Sequence, residues 1–203
     1  MRSLPLLLAG RLLPVVALAT AGWAWTSGPY APAPAAKPAA APSPKASDAR
    51  KYRKPPAPCE TMSADTVKDL VPGAKTKGKE LDLSDPARRR TCSWSALKGY
   101  DYRWLDVSYE VIGSAKQARP TEPRQGESVP DLGDKASVSV DLTTKDKQHT
   151  REAVVTVRAS NALITVTYNG SDFESKGAPG ADTMRKGALK AAKEAVAGLG
   201  DPT

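Results

Sequence analysis

Strict alternation of apolar and polar residues over 135–168 is the feature that most constrains the fold of this chain. In "KASVSVDL" every second residue is apolar, and "REAVVTVRA" and "NALITVTY" repeat the pattern after short polar turns. Successive side chains of a strand point to opposite faces, so each stretch predicts a strand with one buried face. Short turns join antiparallel neighbours. The predicted inward residues are Ala136, Val138, Val140, Leu142, Val155, Val157, Ile164, Val166 and Tyr168.

The remaining elements complete one domain. "TCSWSAL" and "YRWLDVSYEVI" alternate in the same way and add two strands. A helix is predicted over 63–71 behind the N-cap Ser63, and a second, amphipathic helix over 180–200. We therefore predict an α+β domain over 59–203. Its antiparallel sheet has about five strands, and N- and C-terminal helices cover one face.

Residues 1–25 form an apolar leader with Arg2 and Arg11 and no acid. The uncharged run 12–25 has the length of a signal-peptide core. Counted from Leu4, however, the segment is long enough to span a membrane, with Trp23 and Trp25 at the outer interface. The leader is thus predicted to be either a cleaved signal peptide or a signal anchor. Both alternatives place the domain outside the cytoplasm, as a membrane-anchored or secreted protein.

Residues 26–58 are rich in Pro and Ala and are predicted to form a disordered, semi-rigid stalk. Residues 1–58 carry eight of the 30 Lys and Arg residues but one of the 22 Asp and Glu residues. The basic excess therefore belongs to the leader and stalk, and the domain is almost neutral. A nucleic-acid-binding domain usually has a basic face of its own, so no nucleic-acid partner is predicted.

The chain has two cysteines, Cys59 and Cys92. An even number of cysteines outside the cytoplasm indicates a disulfide, which would connect the first helix of the domain to its first strand. The alternative role, a reactive thiol, needs a neighbouring base that the sequence does not show.

Several stretches resemble a group of secreted actinobacterial lipoproteins that share a domain of unknown function. The stretches are "PCETMSADTVKDLV", "CSW" at 92–94, "VPDLGDKASV" and "VTVRASNALITVTY". The resemblance implies an envelope location and a Cys59–Cys92 bridge, and it implies no catalytic residues. The chain differs from the group because it lacks the cysteine that would carry the lipid.

Few residues are suited to catalysis or metal binding. His149 is the single histidine and lies in a polar stretch, "TKDKQHTRE". One histidine and two paired cysteines do not make a typical zinc site. Asp106 and Glu110 share a strand face and could form an acid–base pair, but acids on the exposed face of a strand are common. We therefore predict no enzyme activity, no catalytic residue, no metal and no cofactor.

The candidate binding residues are aromatic. In "KGYDYRWLDVSYE", Tyr100, Tyr102 and Trp104 are predicted to share the strand face opposite Leu105 and Val107. Exposed aromatic clusters often mark binding sites. The alternative is that the long loop 113–130 covers them. Together these features predict a non-catalytic, envelope-associated binding domain. The expected partners are the membrane, through residues 1–25, and an envelope protein or cell-wall component; the alternative function is an extracytoplasmic small-ligand sensor or carrier.

Overall fold

Five long strands make up most of a single antiparallel sheet, as the alternation predicts. The computed structural model describes residues 51–113 and 126–200. The long strands are β2 (Arg89–Lys98), β3 (Asp101–Val111), β5 (Lys135–Lys145), β6 (Gln148–Ala159) and β7 (Ala162–Asp172). Two-residue strands, β1 (Lys79–Glu80) and β4 (Glu127–Ser128), lie at the two edges. The order is β1-β2-β3-β7-β6-β5-β4.

The α+β class and the antiparallel sheet are confirmed, but the expected number of strands is wrong. The sheet has seven strands instead of about five. The two additional strands lie in polar stretches that the sequence assigns to loops. A strand of two residues is too short to show alternation, and its existence depends on pairing with the edge of a longer strand. β1 pairs with Cys92 and Ser93, and β4 pairs with Ser137 and Val138.

Two helices cover one face of the sheet. Helix α1 (Ala64–Leu70) begins behind Ser63, whose side chain accepts a hydrogen bond from the backbone of Thr66, as expected for an N-cap. Helix α2 (Ala181–Ala197) packs across β5, β6 and β7. Within the described residues no helix has the length and apolarity needed to cross a membrane. The leader 1–25 and the stalk residues 26–50 lie outside those residues.

The core lies between the helices and the inward face of the sheet. Two buried tyrosines of the sheet reach across it to helix backbone. The Tyr109 hydroxyl donates to the carbonyl of Ala195 at 2.9 Å, and the Tyr168 hydroxyl donates to the carbonyl of Leu70 at 2.7 Å. Burial raises the pKa of both hydroxyls. Gly187 permits this packing, because a β-carbon there would lie 2.7 Å from the Tyr168 ring.

The predicted disulfide is confirmed. Cys59 lies in a short 3-10 helix (Pro58–Glu60) and is bonded to Cys92 on β2, with 5.1 Å between the α-carbons. The bridge closes a loop with a sequence separation of 33 residues. In the chain-entropy model, a loop of this length stabilises the fold by about 3–4 kcal/mol. The bridge therefore holds the start of the domain near the edge of the sheet.

The domain extends upstream of Cys59. Residues 51–58, the described part of the predicted stalk, lie against the domain, and Tyr52, Pro55 and Pro58 are buried. Tyr52 belongs to the main hydrophobic cluster. The side chain of Asn161, in the turn between β6 and β7, is hydrogen-bonded to the backbone of this segment. Packing against the sheet thus makes residues 51–58 part of the described fold, although their composition alone predicts a stalk.

Candidate functional site

The face of the sheet opposite the helices is polar. We call it the helix-free face, because neither α1 nor α2 packs on it. Cross-strand pairing arranges its side chains in rows that run perpendicular to the strands. One row consists of hydroxyl residues on six successive strands and is given by the register as Thr91, Ser108, Thr165, Thr156, Ser137 and Ser128. Thr91, Ser108 and Thr156 of this row are buried, and the Thr91 hydroxyl donates to the Ser108 hydroxyl at 2.9 Å.

Large apolar side chains gather at one corner of this face. We call the group the aromatic corner; its members are Leu97, Tyr100, Tyr102, Trp104 and Phe173. Leu97 and Tyr100 are each 58% exposed, Phe173 is 47% exposed and Trp104 is 37% exposed. Leu97 is the register partner of Tyr102, and the Tyr102 and Phe173 rings stack with centroids 6.0 Å apart. Exposed apolar groups that touch one another are a common sign of a binding surface.

The three predicted aromatic residues occupy two kinds of position. Tyr102 and Trp104 lie on β3 and, as predicted, on the face opposite Leu105 and Val107. Tyr100 lies in the tight turn between β2 and β3, where Gly99 has a φ of 63°. Its carbonyl accepts a hydrogen bond from the backbone of Phe173 at 3.0 Å, which joins the turn to the end of β7. The alternative cover for these residues, the loop 113–130, lies largely outside the described residues.

Trp104 is fixed in place by its indole N–H group. That group donates to the Ser93 hydroxyl and to a carboxylate oxygen of Asp106, both at 2.8 Å. Ser93 and Asp106 are register partners one row farther along the helix-free face. Because both acceptors belong to the sheet, the polar edge of the indole is turned toward the sheet surface and the ring lies along it. An exposed ring held in this way can stack on a ligand with little loss of side-chain freedom.

Polar side chains continue the row that contains Trp104. We call this the Trp104 row; its register positions are Ser95, Trp104, Asn169, Glu152 and Asp141. Asn169 is 9% exposed, and its side-chain amide forms no hydrogen bond with another described residue. Its amide atoms are not among the buried side-chain atoms that lack a partner, so they reach the surface beside the exposed indole. The Trp104 row therefore places polar side chains next to an aromatic ring on which a ligand could stack.

An arginine lies on the other face of the same strands. Arg103 donates to the carbonyl of Tyr102 at 2.8 Å and lies 3.6 Å from the Asp101 carboxylate. An open cleft of about 280 Å³ is lined by Pro72, Lys98, Asp101 and Arg103. The cleft lies beside charged side chains, of which Arg103 and Asp101 are paired with each other.

The residues considered for catalysis are held in separate places. The His149 ring nitrogen Nδ1 lies 2.8 Å from the Thr144 hydroxyl across a turn. Asp106 binds Trp104, whereas Glu110 pairs with Arg88 at 3.1 Å. Four residues of strand separate the two acids by about 13 Å, too far for one acid–base pair. Within 51–113 and 126–200, no three His, Cys, Asp or Glu side chains are grouped as metal ligands.

Comparisons with known proteins do not identify a family for the chain. No family model matches it, and no curated protein matches it. Among solved structures, the crystal structure of TTHA0849 from Thermus thermophilus is similar at 10% sequence identity. The alignment covers 74% of this chain and 97% of that chain, with a TM-score of 0.22. A likeness at this TM-score supports neither a fold assignment nor a function.

Some site residues could not be found from sequence. Alternation on β2 places Leu97 opposite Cys92, Trp94 and Ala96, but its neighbours at the aromatic corner depend on its pairing with Tyr102. Phe173 follows the last strand and joins the aromatic corner only through tertiary pairing. Asn169 lies in "YNGS", a stretch typical of a turn, but it belongs to β7. Its place beside Trp104 depends on the register between β3 and β7.

Proposed function

We propose that this chain is a non-catalytic, envelope-associated binding domain that binds its partner through the aromatic corner. The observation that carries the proposal is the exposure of Leu97, Tyr100, Trp104 and Phe173 together at one corner of an otherwise polar face. Burying these side chains in a complex would remove apolar surface from water, which favours association. Tyr and Trp are also enriched among the interface residues that contribute most to binding, often about 2 kcal/mol or more each.

The proposed location is extracytoplasmic, with the domain either anchored in the membrane or secreted. Two observations support it. The first is the apolar leader 1–25 followed by the Pro- and Ala-rich stretch. The second is the Cys59–Cys92 disulfide, a bond that persists in oxidising compartments. In this arrangement the stalk would hold the aromatic corner away from the membrane, within reach of envelope components.

A non-catalytic role is supported by where strongly perturbed titratable groups occur. Active sites concentrate such groups in clefts. Here the most strongly perturbed pKa belongs to the Tyr109 hydroxyl, a buried structural group that is hydrogen-bonded to Ala195. The carboxylates with lowered pKa values, Glu80, Asp172 and Glu194, bind Arg90 or nearby backbone and hydroxyl groups.

The second candidate function is a small-ligand sensor or carrier. The open cleft of about 280 Å³ beside Arg103 favours it, because Lys98 and Arg103 could attract a small anion there. Arg103→Ala would abolish binding to such a site and leave binding at the aromatic corner unchanged. We rank this candidate second because Asp101 already faces Arg103.

The proposal can be tested by co-sedimentation of the purified full chain with detergent-extracted envelope. Detergent extraction removes the lipid that the leader itself could enter. We expect the wild-type chain to sediment with the envelope and the double variant Tyr102→Ala, Trp104→Ala to stay in the supernatant. Leu142→Ala is the matched control, because Leu142 is 53% exposed and lies on β5, away from the aromatic corner.

The thermal midpoints of all variants are needed to interpret this result. Exposed positions usually change stability by about 0.5 kcal/mol or less, and Tyr102 adds a stacking contact with Phe173. The double variant should therefore unfold close to the wild-type temperature. Equal sedimentation of wild type and double variant would refute the binding role of the aromatic corner. A loss of several kcal/mol would instead show that these rings belong to the core.

A further inference from the structure

We infer that the aromatic corner and the adjoining Trp104 row bind a neutral glycan of the envelope. This inference rests on the proposed function and specifies its ligand class. A sugar ring presents an apolar face of C–H groups, which stacks on an aromatic ring, and a rim of hydroxyl groups, which donate and accept hydrogen bonds. The surface around Trp104 offers partners for both.

The stacking partner is the Trp104 ring. Its two hydrogen bonds, to Ser93 and Asp106, hold the indole along the sheet, so that an outer ring face remains available at 37% exposure. The stacked pair Tyr102 and Phe173 extends the apolar platform toward the end of the sheet. Exposed rings on an open sheet face can stack on the apolar face of a sugar without a deep pocket.

The hydrogen-bonding partner is Asn169, the register neighbour of Trp104 on β7. Its amide has two N–H donors and an acceptor oxygen, and none of them is used by another described residue. The amide atoms are not among the buried side-chain groups that lack a partner, so they reach the surface and are accessible to a ligand. A sugar hydroxyl stacked beside the indole could pair with this amide, which gives a reason for asparagine at a strand position where β-branched residues are favoured.

The charges on this part of the face favour a neutral ligand. Three carboxylates lie in the Trp104 row and the row next to it, between β3 and β5. Glu152 and Asp141 belong to the Trp104 row, and Asp106 belongs to the adjacent row. No Lys or Arg occupies a register position of those two rows between β2 and β5. A phosphate or polyanion would be repelled there. Hydroxyl groups, in contrast, can donate to carboxylates.

One cross-strand pair strengthens this argument. Glu152 and Asp141 are directly opposite each other, and like charges in that position destabilise a sheet. Hydrogen bonds from ligand hydroxyl groups would offset the repulsion.

The same carboxylates argue against a protein partner, since the centres of protein interfaces are depleted of charged residues. From Trp104 to Asp141 the row crosses three strand spacings, about 14 Å, which is enough for several sugar units.

The test uses envelope sacculi prepared in two ways from the organism that encodes the chain. One sample is treated with protease, which removes protein and leaves glycan. The other is treated with periodate, which cleaves the vicinal diols of sugar rings and leaves protein in place. The purified full chain is added to each sample and the bound fraction is measured by sedimentation.

We expect binding to survive protease and to be lost after periodate. Trp104→Ala and Asn169→Val should each weaken binding to protease-treated sacculi by about tenfold or more. Glu152→Gln should weaken it less, and Glu110→Gln, a matched carboxylate at the far end of the same face, should leave it unchanged. Raising salt from about 50 mM to about 500 mM should change binding little, because the ligand is neutral.

Stability distinguishes a binding role of Asn169 from a structural one. If its amide serves a ligand, Asn169→Val should weaken binding while the thermal midpoint stays equal or rises. A clear fall in the midpoint would show a structural role and overturn this part of the inference. Binding that survives periodate and is lost after protease would refute the glycan and leave the binding function intact. Failure of the wild type to bind untreated envelope would refute both.

Discussion

The side chain of Asn161 holds both backbone polar groups of Tyr52. Its oxygen accepts from the Tyr52 N–H at 2.8 Å, and its nitrogen donates to the Tyr52 carbonyl at 2.8 Å. The same amide also accepts from the Lys51 N–H and donates to the Ile112 carbonyl. Asn161 is fully buried. One side chain therefore joins the segment before the first helix to the end of β3 and the β6–β7 turn.

Replacing this amide should be costly. We expect Asn161→Ala to lower the free energy of unfolding by about 3 kcal/mol or more, because it leaves buried backbone groups unpaired. Asn161→Asp should also destabilise, because a carboxylate cannot donate to the Tyr52 and Ile112 carbonyls. Urea denaturation followed by tryptophan fluorescence measures both changes. A loss below about 1 kcal/mol for Asn161→Ala would show that this network contributes little.

The segment that Asn161 holds should be required for stability. Tyr52 packs in the core, so Tyr52→Ala should destabilise the fold by about 3 kcal/mol, near the low end for a large buried aromatic residue. Lys54→Ala, two residues along and exposed, is the control for a change in the same segment. Equal unfolding midpoints for the two variants would show that the domain does not depend on residues before Cys59.

Breaking the disulfide should lower stability without changing the fold. The Cys59→Ala, Cys92→Ala double variant should lose about 3–4 kcal/mol, from the loop of 33 residues that the bridge closes. Because Cys92 is fully buried on β2, alanine leaves a small void as well. Comparing urea midpoints of the wild type with and without reductant measures the same contribution independently. Identical midpoints in the two conditions would contradict the prediction.

Alternation was sufficient to predict the five long strands and the face that each one buries. The inward residues predicted on β5, β6 and β7 lie on the helix side, and Val155, Val157, Ile164 and Val166 are in the core. Leu142 is the exception: it shares that parity, but it lies beyond the reach of the helices and is 53% exposed. Alternation therefore gives the direction of a side chain, whereas burial depends on how far the covering layer extends.

Features that depend on distant pairing could not be predicted in this way. Asn161 begins the predicted strand "NALITVTY", and nothing local shows that Tyr52, 109 positions earlier, lies against it. Asn169 is adjacent to Trp104 only because β3 pairs with β7 rather than with β4. The candidate site could thus be found in part, at Tyr102 and Trp104, while its polar half depends on strand order and register.

The contact between the two helices should depend on acid pH. The Ser63 N–H at the start of α1 donates to the Glu194 carboxylate of α2 at 2.7 Å. Partial burial alone would raise the pKa of Glu194, but hydrogen bonds from Ser63 and Thr66 outweigh it and lower the pKa below its ordinary 4.5. The contribution of the carboxylate to stability is therefore present above that pH and lost as the pH falls through the lowered value.

Glu194→Gln tests this dependence. At neutral pH the variant should be less stable than the wild type, since a neutral amide accepts a weaker hydrogen bond than a carboxylate. The difference in unfolding midpoint should shrink as the pH falls below 4.5. Glu174→Gln, on an exposed turn, is the matched control and should follow the wild type throughout. A difference that stays constant down to strongly acid pH would rule out titration of Glu194 as its source.

The Tyr109 hydroxyl should make the fold sensitive to alkaline pH. Burial raises its pKa above the ordinary 10.0, so the folded protein keeps the proton that the unfolded chain releases near that pH. Because this pKa is raised, the contribution of the buried Tyr109 hydroxyl to stability is fully present below pH 10 and is lost as the pH rises further.

Tyr109→Phe removes this titration together with the hydrogen bond to Ala195, and should cost about 1 kcal/mol at neutral pH. The stability advantage of the wild type over Tyr109→Phe should then stay level to about pH 9 and fall above pH 10, as measured by urea midpoints across that range. Tyr100→Phe, in an exposed turn, should keep the wild-type profile. An advantage that persisted unchanged well above pH 10 would show that Tyr109 does not ionise on unfolding, and its burial would not explain the alkaline limit of this fold.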